Sequence, residues 1–521
     1  MKHSIAVLCL LAATAVVSVQ AQDQAPPETA QAQTQDPATP QWRPAYHFTP
    51  EKNWTNDPNG LIWLDGQYLA YNQQNPFENK WGHMSWGHAT SKDLLHWKHL
   101  PVAIPEIIDE AKHDTLWIFS GSAVWDEHNT SGFCKEKGCL VAIYTGHQPD
   151  LHKESQWIAY SNDGGRSFTN YDKDPVIDLH KQDFRDPNVF WYEPQKKWIM
   201  TVSLPAEHKV RFYGSQNLKE WALLSEFGPQ GYTEAYWECP SLMELPVEGG
   251  GSHWVLMNSA AGGPRGVYMQ YFTGNFDGTT FTNDDTTTNI KTVDEGDCFY
   301  AAIPFNNVPG DKKILVGWMI PGTQHTEPWT GQFSIPRDLK LVRTADGYRL
   351  LQTPAKTLDQ SLPHPTTLSN VSVADTKRPI EAAAKADNAY WLDVELEPGT
   401  AKSIEFGIGR STQGAASAII DYDAQKQVLN IARTRRSAAP AKMRQTIKLA
   451  PAAAGTDGSA STAKLRLHIL FDRSSLEVFT GSGEHVITDY VYPEKGATGC
   501  DIQAKGGTAV IKQLKIYDLS K

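Results

Sequence analysis

Three acidic side chains stand in short, rigid polar settings, each at the head of an apolar segment. Asp57 lies in NWTNDPNG, residues 53–60, directly before Leu61-Ile62-Trp63-Leu64; Asp186 lies in Arg185-Asp186-Pro187-Asn188; Glu238 lies in Trp237-Glu238-Cys239-Pro240. Asx residues, Pro and Gly are ordinary turn vocabulary, so a hairpin corner would account for any one of these stretches alone. Three carboxylates in one place are another matter, because like charges raise one another's pKa and are costly to hold without a function or a cation. Glycoside hydrolysis uses such a cluster: one ionised carboxyl at the anomeric carbon, and one that protonates the leaving oxygen. Asp57, short and fixed by Pro58, suits a nucleophile. Glu238, longer and set beside Trp237 and Cys239, suits an acid/base that keeps its proton by partial desolvation. Asp186, kept ionised by Arg185, suits the role of accepting hydrogen bonds from sugar hydroxyls as positive charge develops.

An internal repeat would bring the three together. NDPNGLIWLDGQYLAYN from Asn56 and RDPNVFWYEPQKKWIMTVS from Arg185 share acid-Pro-Asn, an apolar strand, a polar turn and a second strand. In WECPSLMEL, Glu238-Cys239-Pro240 takes the place of Asp-Pro. The closing turns SKDLLHW (91–97) and SQNLKEW (215–221) share Ser-x-Asp/Asn-Leu-x-x-Trp, while SNDGGRSF (161–168) resembles the Asp-box of propeller hairpins and GNFDGTTF (274–281) follows the third head. Further strand-rich units begin near Phe119 and Asp297. Five units of roughly 40 to 65 residues, four strands each, have the period of propeller blades. Inner strands of a propeller line one axis, so their heads converge at one end.

The expected architecture is all-β: a five-bladed β-propeller over 43–345, a linker over 346–375, and an antiparallel β-sandwich over 376–521, where strands such as SIEFGIG and LRLHILFDRSSLEVFT alternate with Ala- and Gly-rich loops. Almost no segment keeps helical spacing for three turns. Residues 1–21 read as a secretory signal peptide with cleavage near Ala21, and 22–42 as a disordered lead-in. No later run is apolar enough to span a bilayer, which points to a secreted or periplasmic protein. The net charge of -11 argues against nucleic acid as a partner. Five cysteines remain after the leader, an odd number; Cys134 and Cys139 flank a loop suited to a local disulfide. His83, His88, His96 and His99 fit strand and turn positions, so neither a metal nor another cofactor is expected.

NDPNG, FRDP and WECP, in this order, resemble the signature blocks of glycoside hydrolase family 32, the invertases, inulinases and levanases. The resemblance continues through WGHMSWGHATSKDLLHWKHLPVAI, FSGSAV, YFTGNFDGTTF, WTGQFSIPRDL and LFDRSSLEVF, nearly the whole mature chain. It implies a retaining double displacement on β-fructofuranosides, with Asp57 as nucleophile, Glu238 as general acid/base and Asp186 as transition-state stabiliser. It also places Asn56, Gln73, Trp81, Phe119, Ser120, Arg185 and Trp329 against the terminal fructosyl unit. Thr55, where relatives often have Met, and Asn72, where an aromatic is common, depart from the pattern and are expected to reshape the pocket rim. The substrate implied is an oligo- or polysaccharide with terminal β-fructofuranosyl units, inulin, levan or sucrose, met by a monomer or weak homodimer. A fructosyltransferase or endo-acting fructanase would use the same acids. An inactive sugar-binding protein fits the intact Asp57/Glu238 pair less well, and a sialidase would want a Tyr nucleophile and an arginine cluster.

Overall fold

Short β-branched and aromatic runs separated by Gly, Asx and Pro turns pair into seven sheets, described in a computed structural model for residues 40–109, 114–263, 266–285, 290–310, 312–321, 326–434, 442–449, 464–481 and 483–520. The first five sheets follow one another along the chain and form a five-bladed propeller. Their innermost strands are Asn53–Leu64, Asp114–Trp125, Arg185–Tyr192, Tyr236–Pro246 and Phe299–Pro304. The remaining two sheets, six strands each, form the C-terminal antiparallel sandwich. The one α-helix among the described residues is Glu381–Lys385.

The repeated polar turns occupy equivalent places, after the third strand from the axis, and work the same way. Ser91 Oγ accepts from the amide of Leu94 and Asp93 Oδ1 from those of Leu95 and His96. Ser161 Oγ accepts from Gly165, and Asp163 Oδ1 from Arg166 and Ser167. Ser215 Oγ accepts from Asn217, and Asn217 Oδ1 from Lys219 and Glu220. Side-chain oxygens thus satisfy the amides that a tight turn leaves unpaired.

Two contacts shape the central funnel. Trp329–Thr330, from the segment between the second and third strands of the fifth blade, pairs in parallel with Asn53 and Trp54 and closes the ring. At the end away from the acids, Asn306 exchanges backbone hydrogen bonds with Leu61 and Trp63, while its Nδ2 donates to the carbonyls of Ala123 (2.9 Å) and Val189 (3.1 Å). One residue following the fifth inner strand therefore ties together the inner strands of the first three sheets across the axis.

Several expected boundaries move. Gly347–Pro354 is the outermost strand of the fifth sheet, paired with Arg337–Thr344 through a turn at Ala345-Asp346, so the propeller runs past 345. Thr366–Val373 pairs with Ala509–Asp518, so the sandwich begins before 376 and the supposed linker is mostly strand. The alternation in GYRLLQTP and TTLSNVSV carries that signal. Pro40–Trp42 form a 3-10 turn, and Trp42 is buried with its indole N–H on the Pro493 carbonyl at 2.9 Å, so the last residues of the expected lead-in, 40–42, are packed on the fold. The leader, 1–21, and residues 22–39 lie outside the described residues. No helix among the described residues is long and apolar enough to cross a membrane.

Candidate active site

Each inner strand breaks register near its first residues, between Thr55 and Pro58, Ile118 and Gly121, Arg185 and Asn188, Glu238 and Ser241, and Tyr300 and Ile303. Bulges of this kind bend a strand and re-aim its side chains. In the third, fourth and fifth blades the first residue inside the bulge is left-handed: Asp186 (φ 66°), Cys239 (φ 47°) and Ala301 (φ 50°). Residues with a Cβ seldom adopt this conformation. The alignment corrects one expectation, because the counterpart of Asp186 is Cys239 and not Glu238. The residues inside the two breaks are Asp186-Pro187 and Cys239-Pro240, and Glu238 stands one residue further from Pro240 than Asp186 does from Pro187. Glu238 is instead the counterpart of Arg185 and Tyr300.

Those three counterparts bond to one another. Arg185 Nε and a terminal nitrogen each lie 3.0 Å from Glu238 Oε1, and the Tyr300 hydroxyl donates to Oε2. Arg185 is itself held by Asp183 at 2.8 Å and by buried Glu154 at 3.1 and 3.2 Å. Glu154 also accepts the Phe184 amide at 2.8 Å, and Arg185 keeps its carboxyl below the usual range against the burial that opposes this. The expected pairing of Arg185 with Asp186 is not the one found: the guanidinium's ion pairs are with Glu154, Asp183 and Glu238. Burial first, then the nearby charge of Glu238, pushes the Asp186 carboxyl upward, and Arg185 only partly offsets this. Trp237 does not desolvate Glu238; strand alternation buries it on the opposite side, its indole N–H on the Tyr232 carbonyl.

Asp57 sits in the bulge of the first inner strand. Its Oδ2 accepts from Ser120 Oγ at 2.5 Å and its Oδ1 from Asn56 Nδ2 at 3.2 Å. Burial raises its pKa to about 6, with Ser120 opposing and Glu238 adding to the shift. The Cys239 thiol lies between the two aspartates, 3.7 Å from Asp57 Oδ2 and 3.6 Å from Asp186 Oδ2, and the Cys239 amide donates to Asp186 Oδ2 at 2.9 Å. One atom from each of Asp57, Asp186 and Cys239 falls within 4.8 Å of the others. As a metal site the trio is poor, because burial and the surrounding acids push the thiol far toward its protonated form. Asp126 also lies near Cys134 and Cys139, but those two sulfurs are joined in a disulfide.

Ser120 and Asn56 thus touch Asp57 directly. Phe119 stacks on His147 at 4.4 Å and meets Trp81 at 6.0 Å, and both rings pack against the apolar cluster of Trp54, Met84, Cys239, Tyr300 and Trp318. Gln73 is buried with its amide on the Ile118 carbonyl at 2.8 Å, so it positions the strand that carries Ser120. Trp329 stands apart: it is buried, and the Arg43 guanidinium lies 4.0 Å from its ring centroid, so that face is closed to a sugar. Thr55 and Asn72 are not at the rim. Both are buried, and Asn72 Nδ2 donates to Thr55 Oγ1 at 2.9 Å, so the two departures form one polar pair behind the strand. Sequence reasoning missed Tyr300, Glu154 and the Cys239 thiol. Tyr300 and Cys239 have a local signal, since a strand-rich unit begins near Asp297 and Cys239 stands in the head WECP.

Two clustered aspartates, a glutamate gripped by an arginine and a tyrosine, and an aromatic wall suit acid–base chemistry on an uncharged polyhydroxylated substrate. Comparison with known proteins agrees. The profile of the glycosyl hydrolases family 32 N-terminal domain matches residues 47–354, and that of the family 32 C-terminal domain matches 357–518. A levanase of Bacillus subtilis is 40% identical over 504 residues, covering 92% of this chain and 71% of the relative. An extracellular exo-inulinase of Aspergillus niger is 36% identical over 523 residues, covering 92% and 95%. The crystal structure of an exo-inulinase from Aspergillus awamori superposes with a TM-score of 0.81 at 33% identity, covering 92% of this chain and 98% of that one.

Proposed function

The chain belongs to glycosyl hydrolases family 32, and from that membership we propose that it releases terminal fructosyl units from fructans, with sucrose as an accompanying substrate, by a retaining double displacement. It is a glycoside hydrolase of the β-fructofuranosidase type. The observation that carries the finer reading is the division of labour among the acids: Asp57 is held by short donors, and Glu238 is held by Arg185 and Tyr300 on the next blades.

In the first step the Asp57 carboxylate attacks C2 of the terminal fructosyl unit, while Glu238 gives its proton to the departing glycosidic oxygen. A fructosyl ester on Asp57 results. Water then attacks C2, Glu238 takes the water's proton, fructose leaves and the Asp57 carboxylate is restored. Asp57 feels the charge of Glu238, as two carboxyls acting on opposite sides of one bond should. Asp186 contributes through its burial. Burial and the charge of Glu238 disfavour its ionised form, so the positive charge that develops on the sugar ring stabilises it most in the transition state.

Exo action is supported by the tie of Asn306 across the far end of the axis, which favours a blind pocket entered by a chain end. Export is supported by the apolar run and small-residue site of the first 21 residues and by the extracellular naming of the Aspergillus niger relative. The test is product chromatography over time on sucrose, inulin and levan supplied separately. Fructose alone from the first minutes is expected; oligosaccharides appearing first would replace this reading with endo cleavage or transfer. Asp57→Ala should abolish turnover with an unchanged unfolding midpoint, and retained activity would remove the assignment of the nucleophile.

A further inference from the structure

Among the described residues the most exposed large apolar side chain is Phe77, 65% accessible, on the loop between the second and third strands of the first blade. That loop is firmly tied down. The amides of Phe77 and Glu78 donate to Asn75 Oδ1 at 2.9 and 3.1 Å, Asn75 Nδ2 to the Lys80 carbonyl at 2.9 Å, Asn53 Nδ2 to the Pro76 carbonyl at 2.8 Å, and Asn79 Nδ2 to the Thr326 carbonyl at 2.7 Å. A bare ring fixed in water by so many hydrogen bonds points to a binding role, since neither packing nor slack explains it.

From Phe77 an unbroken line of rings leads to the acids. Its centroid lies 5.5 Å from that of His83, His83 lies 6.1 Å from Trp117, and Trp117 lies 5.3 Å from Trp81. Trp81 meets Phe119, the neighbour in sequence of Ser120, which bonds Asp57. Glu106, buried, holds His83 Nδ1 at 3.0 Å and sets the orientation of that ring. Trp81, Trp117 and Phe119 are each half-buried, with the rest of their surface open. Because Asn306 spans the far end of the funnel, the part of a substrate beyond the cleaved bond must leave over this rim.

We propose that Phe77 is a platform for fructosyl units of the chain beyond the one bonded to the leaving oxygen, and so determines preference for polymer over sucrose. This rests on the proposed function. The C–H faces of furanose rings pack on aromatic rings, and an uncharged chain meets no opposition from the acidic protein. The leaving group of sucrose is a single sugar, and Phe77 is the outermost ring of the line.

The experiment compares kcat and KM of the wild type, Phe77→Ala and Phe77→Tyr on sucrose, inulin and levan. Phe77→Ala should raise KM about threefold to tenfold on at least one polymer, the range of one aromatic contact. It should leave kcat, both sucrose parameters and the unfolding midpoint unchanged, and Phe77→Tyr should retain the wild-type polymer KM. Unchanged polymer KM in Phe77→Ala, or an equal rise on sucrose, overturns the proposal. A wild type that splits sucrose and neither polymer removes the fructan reading itself, a failure seen before any variant is measured.

Discussion

Ser120 gives Asp57 its shortest hydrogen bond, and that bond opposes the upward push of burial on the carboxyl. A nucleophile must be ionised in the free enzyme, so kcat/KM should fall below pH about 6. Removing the donor in Ser120→Ala favours the protonated form of Asp57. The acidic limb should then move to higher pH, and kcat/KM near neutrality should drop about tenfold, as for a hydrogen bond to a charged group. A pH–rate profile of the two enzymes checks this; a parallel drop with an unmoved limb would assign Ser120 to sugar binding instead. The acids themselves were legible in the sequence because turn chemistry around them is local: Pro58, Pro187 and Pro240 each follow within two residues. Their partners were not. Glu154 reaches Arg185 from a strand of another sheet, and no spacing along the chain encodes that approach.

The element that positions all of this is the bulged inner strand. Repeats and polar turns gave five blades without a structure, yet the bulges shifted the alignment by one residue and put Cys239, not Glu238, opposite Asp186. Bulges are set by how backbones meet between strands, which a strand pattern of period two does not record. Gly121 shows how tight that meeting is. A Cβ there would stand 2.1 Å from the Ile143 carbonyl oxygen and 2.6 Å from the Tyr144 Cα, both backbone atoms that cannot swing aside. Gly121→Ala should therefore cost about 2 kcal/mol of stability, the usual scale of overpacking. It should also lower activity, since Ser120 precedes it on the same bulge. Thermal unfolding and kcat/KM measured together check this; loss of stability with full activity would mean that the bulge relaxes outward.

At the scale of the whole molecule, propeller and sandwich share one core, in which Phe48, Phe333, Ile335 and Leu358 pack with Trp391, Leu470, Phe479 and Val486. A buried ionic network runs through it. His47 lies 2.8 Å from Asp472 and 2.9 Å from Glu477, Glu477 meets Arg337 at 2.8 Å, and Arg337 meets Asp294 at 2.9 Å. Burial acts to lower the His47 pKa, but hydrogen bonds to the two carboxylates outweigh it and raise it to about 9. A raised folded-state pKa stabilises fully below the unfolded value of about 6.5 and is lost as pH rises through about 9. Tm should decline across that window in the wild type. His47→Gln leaves two buried carboxylates short of a cation, so its Tm should be lower at neutral pH, by about 3–5 kcal/mol of stability, and flatter toward alkaline pH. A variant that declines as steeply as the wild type would place the alkaline transition elsewhere.

The clasp between Asn53-Trp54 and Trp329-Thr330 also imposes an order in time. A chain emerging from the ribosome carries Asp57, Asp186 and Glu238 long before it carries Trp329. A nascent chain halted just short of that clasp would hold all three carboxyls on an open arc, with its first strand unpaired on one side.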